Sequence, residues 1–405
     1  MIPKRIINIL IPFALLAAAA GGMAGCTQEE LGIFYSLEIE SELEQDRGLE
    51  DNLKVWDMTK TDNDNYYIAA GTVYTRSAGG TEDWSEVEPP AAENLSSDII
   101  FFDGFLFSIY RTEDGASRLY RRTDTAGASW QEVADAEING NEIMSVFSAD
   151  TTLFVCRREN PGTADAYTLW NSTVGDPLNF SQTTLAGPFI TDNRSSRYIF
   201  DASYDGADYW VISGGTLFSG TSGALSEVTM SEVGGGSLSP GDFGGIFFAE
   251  AADLGPSVSN DLLFLSDKEG GLYTKETGSA DWYAGVNPST ENQTITFYDM
   301  ELLTVDSSGT EIPILLIGSN NGYYEVAFDG DQTLASLAPG RPDIDSYSTS
   351  INYLNTSLSS GTILELFLDD RGTPDVTDDL MFACTSSTGL WVNNLGDQDR
   401  IWSRE

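Results

Sequence analysis

One aromatic position recurs along this chain at close to a constant interval. Tyr74, Tyr120, Trp170, Phe218, Tyr273, Tyr324 and Trp391 stand 46, 50, 48, 55, 51 and 67 residues apart. Each is followed by a polar turn and, about ten positions on, a second bulky residue: Trp84, Trp130, Phe180, Val228, Trp282, Leu334, and Ile401 or Trp402. Upstream of each aromatic lies an apolar run (YYIAAG, FLFSIY, TLFVCRR, YWVIS, LLFLSD, ILLIGS, LMFACTS). A further short run precedes it: LKVWDM, DIIFFD, EIMSVFS, YIFDAS, GIFFAE, TITFYDMELL, and TILELFL or SINYLN. Gly, Asn, Asp and Ser punctuate the runs, so each unit reads as about four short strands, and nothing after residue 26 sustains a helical period.

A unit of this kind is apolar on both faces and cannot bury them alone. Stacking units in a ring buries both faces and leaves only short edges. The expected fold is all-β, a seven-bladed β-propeller of four-stranded blades spanning residues 32–405. An eighth, partial blade is the alternative, and a β-sandwich with accidental periodicity is the competing reading. On this reading Tyr74, Trp84, Tyr120 and Trp130 are blade packing. Residues 32–44 (GIFYSLEIESELE) are expected to supply a strand that joins the last blade and closes the circle. Residues 338–361 account for the excess length of the final unit and form a candidate functional loop.

The first 25 residues differ from this body. Lys4 and Arg5 precede an apolar stretch from Ile6 to Ala20, small residues follow, and then comes Cys26. This is a secretory pattern, with an apolar stretch on the short side for a bilayer span. The segment Met23, Ala24, Gly25, Cys26 resembles the lipobox of bacterial lipoproteins, with Met where Leu is commoner. The resemblance implies a signal peptide over residues 1–25, a diacylglyceryl group on the Cys26 thiol, a further acyl chain such as palmitate on its freed amine, and a tether over 26–31. Acyl chains anchor at roughly 0.8 kcal/mol per buried CH₂. Thr27 rather than Asp after the cysteine points, by resemblance to Gram-negative sorting, to the outer membrane. An ordinary signal peptide with a chance cysteine, or an uncleaved anchor helix, are the alternatives.

Charge narrows the partners. The chain carries 63 acidic and 20 basic residues, a net charge of −43, which becomes −45 when Lys4 and Arg5 leave with the signal peptide. Such a surface repels nucleic acid and anionic headgroups. Contact with the membrane is expected through the lipid anchor only. An acidic, Lys-poor surface suits a saline medium, where counterions screen self-repulsion, or a cation-binding role. There is no histidine, which removes Ser-His-Asp and Cys-His catalysis, His-ligated zinc and histidine pH switching together. Cys156 and Cys384 sit in apolar runs of different units and are expected to be separate buried thiols.

Two stretches invite closer reading. The turn Arg122–Trp130 (RTDTAGASW), and TRSAGGTEDW before it, resemble the Asp-box hairpin of sialidase-like propellers. Asp124, Gly127, Ser129 and Trp130 match with one residue inserted. In that family the box is structural, so the resemblance implies fold and no catalytic residue. The family's Phe-Arg-Ile-Pro arginine motif is absent. Arg76, Arg121, Arg122, Arg157 and Arg158 could serve such chemistry only if they converge. The segment DDRGTPDVTDD places Asp369, Asp370, Asp375, Asp378 and Asp379 around Gly372 and resembles the calcium loops of Asp-rich repeats, without EF-hand spacing. A solvated acidic turn is the plain alternative. Asp62 and Asp64 form a smaller acidic turn.

The sequence therefore supports a lipid-anchored, monomeric, extracytoplasmic propeller that binds a protein or glycan. The alternative is a propeller glycoside hydrolase using carboxylates at the channel mouth. With 63 acids available, no particular pair can be singled out for that chemistry.

Overall fold

The computed structural model describes residues 47–50, 52–90, 93–112, 116–139, 142–159, 166–176, 178–186, 200–233, 238, 240–255, 258–284, 295–306, 311–328, 358, 361–395 and 402–405. Cys26, the 32–44 segment and most of the 338–361 loop lie outside them.

The body is a seven-bladed propeller. Blade 1 comprises β1 (Asp57–Lys60), β2 (Asn65–Ala69), β3 (Val73–Ser77) and β4 (Ser85–Val87), and blade 2 comprises β5 (Glu93–Phe102), β6 (Phe105–Thr112), β7 (Ser117–Thr123) and β8 (Gln131–Glu132). After a single-turn helix, α1 (Ala136–Asn139), blade 3 is built from β9 (Glu142–Ala149), β10 (Thr152–Glu159), β11 (Ala166–Ser172) and β12 (Ser181–Gln182). Blade 4 takes β13 (Thr184–Ala186), β14 (Phe200–Tyr204), β15 (Tyr209–Ser213), β16 (Thr216–Thr221) and β17 (Ala224–Glu227), with β13 parallel to β17 at its outer edge. Blade 5 repeats that arrangement with β18 (Ser231–Glu232), β19 (Phe243–Ala249), β20 (Leu262–Asp267), β21 (Leu272–Glu276) and β22 (Asp281–Ala284), β18 running parallel to β22. Blade 6 has β23 (Phe297–Asp306), β24 (Glu311–Ser319) and β25 (Gly322–Ala327) among the described residues. Blade 7 has β26 (Ile363–Asp369), β27 (Leu380–Thr385), β28 (Leu390–Asn394) and β29 (Trp402–Arg404).

The repeat maps onto this order directly. Counted outward from the inner strand of each blade (β1, β5, β9, β14, β19, β23 and β26), all seven recurring aromatics fall on the third strand, and the apolar runs before them form the second strands. These second strands are buried on both faces, as the unbroken burial of Leu262–Asp267 illustrates. TILELFL supplies the first strand of blade 7, and SINYLN lies outside the described residues. Seven sheets account for the described strands, which sets the eighth-blade alternative aside. Blade 4 departs from the pattern in detail. Val228 is only half-buried, and Leu225 and Met230 fill the interior beside it.

Each blade's first strand lies against the first strand of the next, from β1 through β5, β9, β14, β19, β23 and β26 and back to β1, so these strands surround the axis. The seam between blades 7 and 1 joins the first and last described blades of the sequence. Blade 7 draws its four strands from residues 363–404. Val55 N–H donates to Thr385 O and Gly389 N–H to Leu53 O, both at 3.0 Å. An apolar cluster of Val55, Met58, Tyr66, Trp84, Phe382 and Leu390 fills the space between the two sheets. Glu405 Oε2 accepts Trp84 Nε1–H at 3.2 Å and pairs with Arg76 at 3.0 Å and Arg47 at 3.7 Å.

Candidate functional site

Acids gather around the axis. Asp57, Asp98, Asp201, Asp299 and Glu365 occupy equivalent places on the first strands of blades 1, 2, 4, 6 and 7, each followed by an apolar residue; Ser145 and Gly245 hold the place in blades 3 and 5. A first strand has one neighbour in its sheet, so alternate N–H groups point toward the axis without a ladder partner. Asp57 Oδ2 accepts Ile99 N–H of blade 2 at 2.8 Å. Asp98 Oδ2 accepts Val146 N–H of blade 3 at 3.2 Å, Asp201 Oδ2 accepts Ile246 N–H of blade 5 at 3.1 Å, and Asp299 Oδ2 accepts Leu366 N–H of blade 7 at 2.7 Å. Glu365 closes the belt by accepting Met58 N–H of blade 1. Each carboxylate thus caps the exposed edge of the following blade.

The exceptions have physical reasons. At blade 5 the backbones come too close for a side chain at Gly244, next to the belt position, and are close but adjustable at Gly245 itself. A Cβ on Gly244 would lie 2.1 Å from Phe297 O, and one on Gly245 would lie 3.2 Å from Tyr298 O. At blade 4 the Ala202 N–H is taken by the carboxylate of its own neighbour, Asp201, at 2.7 Å.

Burial governs the chemistry of this belt. The carboxyls keep some surface along the axis, yet protein encloses them, and a narrow passage hydrates a charge poorly. Desolvation pushes Asp201 up to about 6 and, with the Asp201 charge added, Asp299 to about 7. Glu301, two residues beyond Asp299, is pushed up to about 8 by burial and by Asp299. Its Oε1 accepts the N–H of Leu302 at 3.2 Å. Asp57 and Glu365 are both raised, by burial first. The belt was missed in the sequence, though a signal exists: an acid, Ser or Gly interrupts each first-strand run at steps of 41, 47, 56, 44, 54 and 66 residues.

The Asp369–Asp379 turn connects β26 to β27 and is folded by its own contacts. Asp369 is buried and pairs with Lys60 at 2.7 Å, with Arg371 Nε at 3.2 Å and with the Tyr66 hydroxyl. Burial opposes its charge, but Lys60 and Tyr66 outweigh that and hold it below the usual carboxylate range. Asp370 Oδ1 caps Gly372 N–H at 3.0 Å, Asp375 Oδ1 accepts the Thr377 hydroxyl at 2.7 Å, and Asp378 Oδ1 accepts the Thr373 hydroxyl at 2.8 Å. Asp379 is buried and pushed up to about 6 by desolvation and then by the neighbouring aspartates. Among the described residues no three His, Cys, Asp or Glu side chains are grouped to hold a metal ion. Asp64 stands at 3.0 Å from Lys60.

Asp124 leaves its own turn and crosses to blade 1. It accepts the Tyr67 hydroxyl at 2.6 Å, Asn65 Nδ2 at 3.1 Å and the Thr61 hydroxyl. Burial opposes its charge, but these bonds hold it below its ordinary value. The five arginines do not converge. Arg76 pairs with Glu405, Arg121 with Asp176, Arg157 with Glu159 and Arg158 with Glu142, while Arg122 stacks on Trp130 with 5.6 Å to the ring centroid. Cys156 and Cys384 are free, fully buried thiols in blades 3 and 7. Among the described residues no helix is long and apolar enough to cross a membrane.

No family model and no curated protein matches this chain. In structure it is similar to the computationally designed protein Ika8, at 10% identity and TM-score 0.46 over 85% of each chain. It is similar to Sqt1 of Saccharomyces cerevisiae at 11% identity and TM-score 0.47, over 83% of this chain and 94% of that one. The extracellular domain of BT4673 from B. thetaiotaomicron aligns at 12% identity and TM-score 0.48; 85% of this chain covers 39% of that one.

Proposed function

We propose that this chain is a lipid-anchored, extracytoplasmic β-propeller that binds a protein or glycan partner through the loops of its ring. Cys26 carries the anchor, and the acidic body hangs in the aqueous phase beside the membrane, in Gram-negative cells beside the outer one. The observation that carries the binding role is the commitment of the axial carboxylates. Asp57, Asp98, Asp201 and Asp299 each hold a backbone N–H of another blade. Used in this way, they stiffen the ring as a platform, and variable loops on a rigid scaffold are a common way to build a binding surface.

One observation favours a second reading, a glycoside hydrolase. Glu301 sits on the first strand of blade 6 and is pushed up to about 8, the protonation state a general acid requires at neutral pH. Both readings meet the same experiment. Full-length protein is screened on a glycan array and against chromogenic glycosides. Binding without turnover supports the platform; turnover that Glu301→Gln abolishes replaces it with the hydrolase. Cys26→Ser is expected to release the protein from the membrane fraction, and retention there would remove the anchor.

A further inference from the structure

Three third strands carry a cation two residues beyond the recurring aromatic: Arg76 after Tyr74, Arg122 after Tyr120 and Lys275 after Tyr273. In blade 1 the cation meets an acid, Arg76 standing 3.0 Å from Glu405. In blade 2 Arg122 rests on Trp130. Lys275 of β21 is a different case. It is enclosed at the boundary of blades 4 and 5, where it keeps 7% of its surface. Its Nζ stands 4.8 Å from the centroid of the Trp210 ring on β15. That ring is itself held in place. Trp210 Nε1–H donates to Asp205 Oδ2 at 2.8 Å, and Trp282 meets the ring edge-on with 6.2 Å between centroids.

What Lys275 lacks is an acid. In a chain with 63 acidic residues, it makes no hydrogen bond and no ion pair among the described residues. The charged groups that face it are Asp205 and Asp208, in the turn from β14 to β15. Asp205 is already committed: Oδ2 holds Trp210, and Oδ1 accepts the N–H of Ala207 at 3.0 Å and that of Asp208 at 2.8 Å. On β20 the residue opposite Lys275 in register is the apolar Leu263. An ammonium enclosed in this way is poorly hydrated, so burial favours the neutral amine, and the two aspartates offset this only in part. Lys60 is the contrast, because Asp369 and Asp64 hold its proton in place. Arginine would stay charged at this position, whereas lysine can give its proton up.

We propose that Lys275 is a covalent site for aldehydes: its amine, seated against Trp210 and unpaired with any described acid, condenses with a carbonyl carbon to form an imine. The nitrogen lone pair makes the new C–N bond, and the carbonyl oxygen leaves as water with the two amine hydrogens. No oxidant or reductant takes part, so added water reverses the step. Lysine nucleophiles are activated by desolvation of this kind. The site lies on the flank between two blades, apart from the axial acids, and so goes beyond the binding role of the loops.

The test uses the full-length protein, limiting formaldehyde as the smallest aldehyde, and cyanoborohydride to reduce each imine to a stable methylamine. Peptide mapping by mass spectrometry reads the rate at each lysine in neutral buffer. Lys275 should be methylated roughly tenfold faster than Lys60, the ratio that one unit of difference in proton affinity gives in neutral amine. A lysine buried only for packing would instead react last, as the fold opens. A rate at Lys275 equal to or below that at Lys60 would therefore overturn the site. Lys275→Arg keeps the cation on Trp210 and cannot form the imine. It should remove the fast phase of total methylation and leave the rates at Lys54, Lys60 and Lys268 unchanged; a fast phase that survives would also overturn the proposal. If Lys275→Arg does not fold, the wild-type map decides alone.

Discussion

Lys60 and Asp369 lie 309 residues apart in sequence and meet at 2.7 Å between the first and last blades. The carboxylate is nearly inaccessible, the ammonium is partly exposed, and the Tyr66 hydroxyl donates to the same acid from inside the seam. Replacing Asp369 leaves Lys60 with Asp64, which is well exposed and so a weak partner. Asp369→Asn is expected to cost about 2 kcal/mol, the scale of a buried hydrogen bond to a charged group. Urea titration should show it as a lower midpoint with an unchanged slope. Because the charged form of Asp369 is favoured in the fold, its contribution is present above the ordinary carboxylate value and lost as pH falls through the lower folded one. The variant should therefore converge on wild type only on acidification below the ordinary carboxylate range.

The axial acids behave in the opposite sense. Asp201 and Asp299 are raised by burial, to about 6 and about 7, so the fold retains protons that the unfolded chain gives up. Their contribution is complete below the ordinary carboxylate value and is lost as pH rises toward 6 and 7. Asn keeps an acceptor oxygen for the Leu366 N–H and carries no proton to lose. Asp299→Asn should thus be more stable than wild type at about pH 8 and lose that advantage by about pH 5. Melting curves at the two pH values check it; an advantage that grew on acidification would contradict the assignment.

Blade number and strand order were legible in the sequence because one event repeats: an aromatic on the third strand after a second strand buried along most of its length. Tyr74 and Trp391 mark it as plainly as the units between them. The axial belt was not legible. Each member is a lone acid in an apolar run, and Asp98 in DIIFFD or Asp299 in TITFYDMELL reads as a strand boundary until neighbouring blades are set side by side. The Asp369 turn shows a second limit: carboxylates crowded in sequence are spread by the fold, Asp369 turning inward to Lys60 and Tyr66 and Asp375 to Thr377.

Glycine replaces the belt acid in blade 5, and two adjacent glycines there should answer differently to substitution. A Cβ at Gly244 would meet Phe297 O at 2.1 Å, a backbone atom that can move only if β23 moves with it. At Gly245 the nearest contact is 3.2 Å, within reach of a small adjustment. Gly244→Ala is expected to cost about 3 kcal/mol, at the upper end of overpacking, and Gly245→Ala about 1 kcal/mol. Chemical denaturation of the two variants side by side tests the ordering; equal losses would mean that β19 and β23 are not packed so closely.

The cysteines give a last measurement that joins the fold to the proposed anchor. Cys156 and Cys384 are completely buried, and desolvation pushes both thiols well above their ordinary value. The reactive species is the thiolate, so a disulfide reagent should find neither in the native protein, even at mildly alkaline pH. Unfolding exposes both. The chain has three cysteines, and Cys26 contributes a third thiol only where it carries no lipid. Protein extracted from membranes and denatured should titrate two thiols, and the same chain made without lipidation but with Cys26 retained should titrate three. Three thiols in the membrane-derived protein would dismiss the lipid on Cys26. Rapid modification in the native state would instead show that β10 or β27 opens readily.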